Sequence, residues 1–277
     1  MSRTRVITWG GNTCRRFAEE ETFLKRCLAC AVALASCAAI IGCSKAQPTE
    51  PASFTHVAPG ATVDSTAAGA ITGSAILDGA PPAPQSIDMN SEPACAKANS
   101  SASDSREVVT GENGALANVV VFVKSGLENY RFDTPKEAVV LDQKGCTYEP
   151  RIVALMANQP LEIHNDDATI HNVHATPKAN SEWNKAQRSG SPPLRVSFPT
   201  PELAIPFMCN VHPWMRAFVF VFANPYYAVT TRAGKFELRN LPPGTYTIEA
   251  WHERYGKQQR SVTIGPRESK TISFRFQ

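Results

Sequence analysis

From residue 69 to the C-terminus the chain is cut into short apolar or alternating runs, and no long segment keeps a helical period. The runs are ITGSAIL (71–77), ANVVVFV (117–123), EAVVLD (137–142), RIVALMA (151–157), PLEIHN (160–165), LRVSF (194–198) and AFVFVF (217–222). Clusters of Gly, Pro, Asn and Asp separate them, as expected of strands joined by turns. The end of the chain alternates most cleanly. Tyr246, Ile248 and Ala250 share one face of TYTIEAW, and Ile272, Phe274 and Phe276 share one face of TISFRF. The pattern predicts an all-β protein. Residues 176–193 read as a long polar loop with one helical turn around Glu182-Trp183.

Strand 217–222 breaks the alternation. Phe218, Phe220 and Phe222 point one way, and Val219 and Val221 the other. A strand apolar on both faces must be covered on both. The C-terminal segment is therefore expected to pack against the sandwich that precedes it.

The N-terminus is set aside before reasoning about the fold. Lys25-Arg26 precede an apolar, small-residue run from Cys27 to Ile41 that ends IIGC, Ile40 to Cys43. This resembles a bacterial lipoprotein signal (residues 1–43), in which Cys43 becomes the lipidated first residue. Arg15-Arg16-Phe17 sits too far from the run for a twin-arginine signal. An uncleaved membrane anchor is the alternative. Either way the body of the protein is expected outside the cytoplasm, on the periplasmic side of a membrane or at the cell surface. Residues 44–68, rich in Pro, Ser, Thr and Ala, read as a flexible tether.

Losing residues 1–42 removes six of the 28 Lys/Arg and three of the 25 Asp/Glu, leaving 22 of each. The mature chain is formally neutral, so nothing points to nucleic acid. The same cut simplifies the cysteines. Of eight, Cys14, Cys27, Cys30 and Cys37 leave with the signal and Cys43 would be lipidated, so Cys95, Cys146 and Cys209 remain. An exported chain with three should pair two. Cys209 lies in a ligand-rich motif, so Cys95–Cys146 is the expected disulfide. Closing that loop would stabilise by roughly 4 kcal/mol in the chain-entropy model. Other pairings would destroy the motif.

That motif is CNVHPWM, Cys209 to Met215, which holds a thiol, an imidazole and a thioether within seven residues. Its two-residue gaps let one turn bring all three around a point. His171, in IHNVHA, lies 38 residues earlier at the start of an apparent strand. A type 1 copper site needs two imidazoles, one thiolate and a weak axial ligand, usually a thioether. Zinc in exported proteins usually takes His with carboxylate, or more Cys, and a Met ligand argues against it. His164 and Asp166-Asp167 read as turn residues before the ligand strand. His56 falls in the tether, and His252 reads as a surface residue.

IHNVHA together with CNVHPWMRAFVFVF resembles the cupredoxins, the small blue copper proteins, in the short-loop form of amicyanin and then plastocyanin. The resemblance covers residues 115–223. It implies a Greek-key β-sandwich and one type 1 copper ion held by His171, Cys209 and His212, with Met215 as the weak axial ligand. It implies that Asn172 braces the copper loop and that Pro213 stiffens it. His212 would be the ligand at the solvent edge, with Pro213 and Trp214 in a docking patch around it. No His-x-His pair is present for a type 2 or trinuclear centre, and the second bridging Cys of a binuclear site is missing. The expected role is a carrier and not an enzyme. It would pass single electrons to a redox partner such as a periplasmic cytochrome or dehydrogenase. The alternative is a non-redox copper-binding, copper-handling or structural lipoprotein.

GKFELRNLPPGTYTIEAWHE, within residues 224–277, resembles the carboxypeptidase-regulatory-like, transthyretin-like β modules. It is short for such a module. The missing strands would come from 217–223 or from ITGSAILDGAPP near residue 71, in the N-terminal β extension (69–114). The expected role of the module is a structural lid on the cupredoxin sheet.

Overall fold

A computed structural model describes residues 57–99 and 103–277. The signal segment, Cys43, His56 and the first part of the tether lie outside the described residues. Strand makes up 47% and helix 4%, so the all-β class holds. Among the described residues no helix is long and apolar enough to cross a membrane.

Strand β1 (Gly69–Leu77) is followed by two-residue strands β2 (Ser86–Ile87) and β3 (Ser103–Asp104), with helix α1 (Pro93–Ala98) between them. Then come β4 (Val120–Ser125), β5 (Val139–Gln143), β6 (Tyr148–Glu149), β7 (Ile152–Met156) and β8 (Leu161–Asn165). The next group is β9 (His171–Ala175), β10 (Trp183–Gln187), β11 (Leu194–Val196), β12 (Glu202–Met208) and β13 (Arg216–Phe222). The chain ends with β14 (Tyr227–Val229), β15 (Lys235–Leu241), β16 (Gly244–His252), β17 (Gly256–Ile264) and β18 (Ser269–Phe276).

These strands make two sandwiches. In the first, sheet β10-β9-β12-β13-β7 faces sheet β11-β8-β5-β6. Leu141, Leu155, Ile163, Val173, Phe207 and Val219 fill the space between them. In the second, β15-β1-β18 faces β14-β4-β16-β17 around Ile71, Val121, Phe236, Tyr246, Ile248 and Phe274.

Sheet pairing corrects the expected boundary at residue 115. β4 does not belong with the strands of the first sandwich: it pairs antiparallel with β14 and β16. The reason is its double apolar face, with Val121 and Val123 in the second core and Val120 and Phe122 on the other side. β1 completes the C-terminal module, antiparallel to β15 and parallel to β18. β13 does not join it, and pairs with β12 and β7. The first sandwich, β5 to β13, is therefore inserted between β4 and β14 of the second.

The two sandwiches share a third apolar layer. Phe220, Phe222 and Ile152 from the first meet Val120 and Phe122 from the second, with Phe218, Tyr227 and Trp251 packed around them. Ring centroids lie 4.9 Å apart for Phe220–Trp251 and 5.1 Å for Phe122–Phe222. A bidentate pair seals one side, Arg151 Nε to Glu253 Oε1 at 2.5 Å and Nη2 to Oε2 at 2.7 Å.

Two local expectations are also corrected. The helical turn at Glu182-Trp183 is instead the start of β10, which pairs with β9. Trp183 packs edge-on against Phe207 at 5.5 Å, and that burial outweighs a polar loop's local preference. His252 is not at the surface. It is completely buried beside Tyr255 and Phe276, and its Nε2 has no hydrogen-bond partner.

Two predictions follow from this packing. Phe220→Ala removes a completely buried ring from the layer between the sandwiches. Chemical denaturation should show a loss of about 3–5 kcal/mol; a loss below about 1 kcal/mol would mean the layer is not cohesive. His252 provides a pH test. Burial, then the charges of Arg151 and Arg254, hold its pKa down to about 4. An unfolded His titrates near ~6.5, so the unfolded chain takes up the proton first as pH falls. The stability from the neutral ring is complete above ~6.5 and is lost as pH falls from there towards 4. In His252→Leu the stability difference between about pH 7 and pH 4.5 should shrink by about 2–3 kcal/mol. An unchanged difference would show that His252 does not carry the acid sensitivity.

Candidate metal centre

Two turns of the first sandwich build the site. Asn165, at the end of β8, folds the first: its Nδ2 donates to Thr169 O at 3.0 Å and its Oδ1 accepts from Asp167 N at 3.1 Å. This turn delivers His171 as the first residue of β9. The second is the β12–β13 connection, residues 209–215. It closes through Cys209 N to Met215 O at 3.3 Å and Met215 N to His212 O at 2.9 Å. Asn172 Oδ1 accepts from the amides of Asn210 (2.7 Å) and Val211 (3.3 Å), and its Nδ2 donates to Asn184 Oδ1 at 2.7 Å. One side chain on β9 thus ties the loop to the ligand strand.

The ligand atoms of His171, Cys209 and His212 all lie within 4.8 Å of one another, and all three residues are buried. The two Nδ1 atoms are 2.9 Å apart, and Cys209 Sγ is 3.7 Å from His212 Nδ1. One ion can span both gaps, since each is shorter than two bonds end to end, at about 2.0–2.1 Å for N and about 2.3 Å for S. Met215 is buried in the same apolar core as Cys209. Asp167 and Cys146 also approach His171, but Cys146 is disulfide-bonded to Cys95 and offers no thiolate.

The charges of this pocket are interlocked. Burial pushes the Cys209 thiol up, but hydrogen bonds from His171 and from the amides of Asn172, His212 and Val211 outweigh it and hold it below its ordinary value. Burial lowers His171, yet hydrogen bonds to Asp167 and Cys209 outweigh it and raise it to about 9. Burial and then the neighbouring His171 charge keep His212 low. These contacts favour the thiolate form of Cys209 more than an open solution would, and a thiolate is the form that binds soft metals.

Residues 213–277 match the carboxypeptidase regulatory-like domain. The match begins inside the loop, so its first part is β13, which lies in the sheet of the His171–Cys209–His212 cluster; the rest of the regulatory-like module is β14 to β18, completed by β1 and β4. No curated protein sequence matches the chain. Solved copper proteins give a distant likeness. A Cu-containing nitrite reductase from Thermus scotoductus SA-01 is 17% identical over 32% of this chain, with a TM-score of 0.30. The chain spans 23% of that protein. An oxidised amicyanin variant is 22% identical over 31% of this chain and 82% of its own, with a TM-score of 0.28. A Cu(I) amicyanin variant is 19% identical over 38% of this chain and 99% of its own, again at 0.28.

His212 departs from the solvent-edge position expected of it, because it is completely buried. Pro213 is exposed. Trp214 is half-buried, with its Nε1 donating to Cys146 O at 3.0 Å and its ring 5.3 Å from that of His212. The expected docking patch is therefore partly engaged by the disulfide loop. His164 sits half-exposed on β8, outside the ligand cluster.

Asp167, which sequence reading placed only in a turn, adjoins the cluster. Its Oδ2 lies 2.9 Å from His171 Nε2, and the carboxylate accepts from the amides of Gly145 (2.6 Å) and Cys146 (2.8 Å). Because Asp167 holds the Nε2 proton, Nδ1 is the nitrogen that would give up its proton to a metal. The available signal was the carboxylate four residues before the ligand His.

Asn172→Ala leaves two loop amides without their acceptor. The metal-free protein should lose about 1–3 kcal/mol in urea unfolding. No loss would show that the loop stands without this brace.

Proposed function

We propose that this is an exported copper protein that carries single electrons through a type 1 site. His171, Cys209 and His212 would be its strong ligands and Met215 its weak axial ligand. The observation that carries the reading is the convergence of two imidazole Nδ1 atoms and one thiol in a buried pocket. Bound copper would supply a one-electron Cu(II)/Cu(I) couple. The chain's part is to fix the donors. Asp167 sets the His171 tautomer, Asn172 holds the loop, and the surrounding core excludes water.

In this reading Cys43 anchors the protein to a membrane through lipid, and the tether leaves the domain free to meet a cytochrome or dehydrogenase. The chain is a carrier without a reaction of its own, and the regulatory-like module covers the outer face of the metal-bearing sheet. A second reading, copper handling without electron exchange, has one observation in its favour: His212 is shut away from the surface.

Copper loading decides the first point. The Cu(II)-loaded protein should show an intense thiolate-to-copper absorption band and a matching EPR signal, both absent in Cys209→Ser. A colourless loaded protein would end the type 1 reading. Rapid reduction by a small cytochrome would then favour the carrier, and a tightly held Cu(I) that does not exchange electrons would favour copper handling.

A further inference from the structure

The Cys95–Cys146 disulfide brings a segment from outside the metal-bearing sheets onto the metal centre. Met89 and Cys95 are buried in the same core as Cys209 and Met215. At the far end of the segment, Asn99 Nδ2 donates to Cys95 O at 3.0 Å and to Gly145 O at 2.8 Å. Residues 89–99 are thus fastened to the loop at 144–147 by one covalent bond and one shared amide. The same loop gives its Cys146 carbonyl to Trp214 and its Gly145 and Cys146 amides to Asp167. It touches the supports of both imidazoles.

His212 is covered on this side. Its Nε2 is buried without a hydrogen-bond partner. The carboxylate facing that atom belongs to Glu92, the residue before α1, with Oε2 at 3.8 Å. An imidazole that gives Nδ1 to a metal carries its proton on Nε2, and a buried N–H needs an acceptor. Glu92 is half-exposed and unclamped, so a rotamer change can close the gap.

We propose that residues 89–99 form a cap on the metal centre, with Glu92 as the positioning residue that accepts from His212 Nε2–H and closes that edge of the ring. Its ligand chemistry rests on the copper reading, whereas closure of His212 is a property of the metal-free fold. A partner's electron would then cross the cap and would not meet a bare imidazole.

The test is carbethoxylation of the metal-free full-length protein by diethyl pyrocarbonate, read residue by residue in a mass spectrometer. The half-exposed His164 serves as the internal reference. In the wild type, His212 should react at least tenfold more slowly than His164. Glu92→Ala should raise the His212 rate at least fivefold. Glu92→Gln keeps the length and an acceptor oxygen, and should stay within twofold of wild type. The double variant Cys95→Ser, Cys146→Ser should also expose His212; Glu92→Ala keeps the test valid if the loss of the disulfide unfolds the chain. A wild-type His212 as reactive as His164, or a Glu92→Ala rate equal to wild type, would overturn the cap. Failure to form a copper spectrum would remove the functional reading alone, since the labelling needs no metal.

Discussion

Strand β13 is buried on both faces, and the rest of the structure depends on that. Ala217, Val219 and Val221 enter the core of the first sandwich, while Phe218, Phe220 and Phe222 form the layer against the second. The loop that precedes β13 carries Cys209, His212 and Met215. A strand held from two sides cannot slide or turn over without losing both apolar contacts, because a one-residue slip exchanges the faces. The ligand loop therefore starts from a fixed point. Rigidity there would suit a metal, whose donors must stay within about 0.5 Å of one geometry.

The second constraint is electrostatic. A thiolate in an apolar core is costly unless its charge is met. Here the Asn172 amide lies 3.5 Å and the His212 imidazole 3.7 Å from the Cys209 sulfur, and the adjoining His171 imidazole is held by a buried carboxylate, which in turn accepts two amides of the disulfide loop. Cys209, His171 and Asp167 thus act on one another electrostatically. This explains why residues so far apart in sequence as Gly145 and Cys209 belong to one site.

The all-β class and the ligand motifs were legible because their signals are local. Alternation marks a half-buried strand wherever it occurs, and Cys-x2-His-x2-Met needs only one turn to converge. The both-faces-apolar run 217–222 also announced its second cover. What lay out of reach was set by distant partners. Nothing within VVFVKS says that it pairs with strands more than a hundred residues later, so the boundary at 115 fell on the wrong side of β4. Glu182-Trp183 reads as polar loop until Phe207 is placed beside the indole. His252 reads as surface because the aromatic residues that bury it include Phe276, at the far end of the chain. His212 reads as an edge ligand until α1, fixed by the disulfide, is laid beside it.

Insertion gives the regulatory-like module a mechanical meaning. The chain leaves it after β4 and returns at β14, so the first sandwich is connected to it twice. Two connections and one shared aromatic layer leave little freedom for relative motion, which a large apolar interface opposes. The Arg151–Glu253 pair adds an oriented contact at the same boundary. It is mostly buried and bidentate, the geometry in which an ion pair specifies alignment more than it adds stability. The module therefore fixes the back of β13, the strand that follows the ligand-rich loop. The exposed side of the ligand loop is its other edge, where Val211 and Pro213 meet solvent.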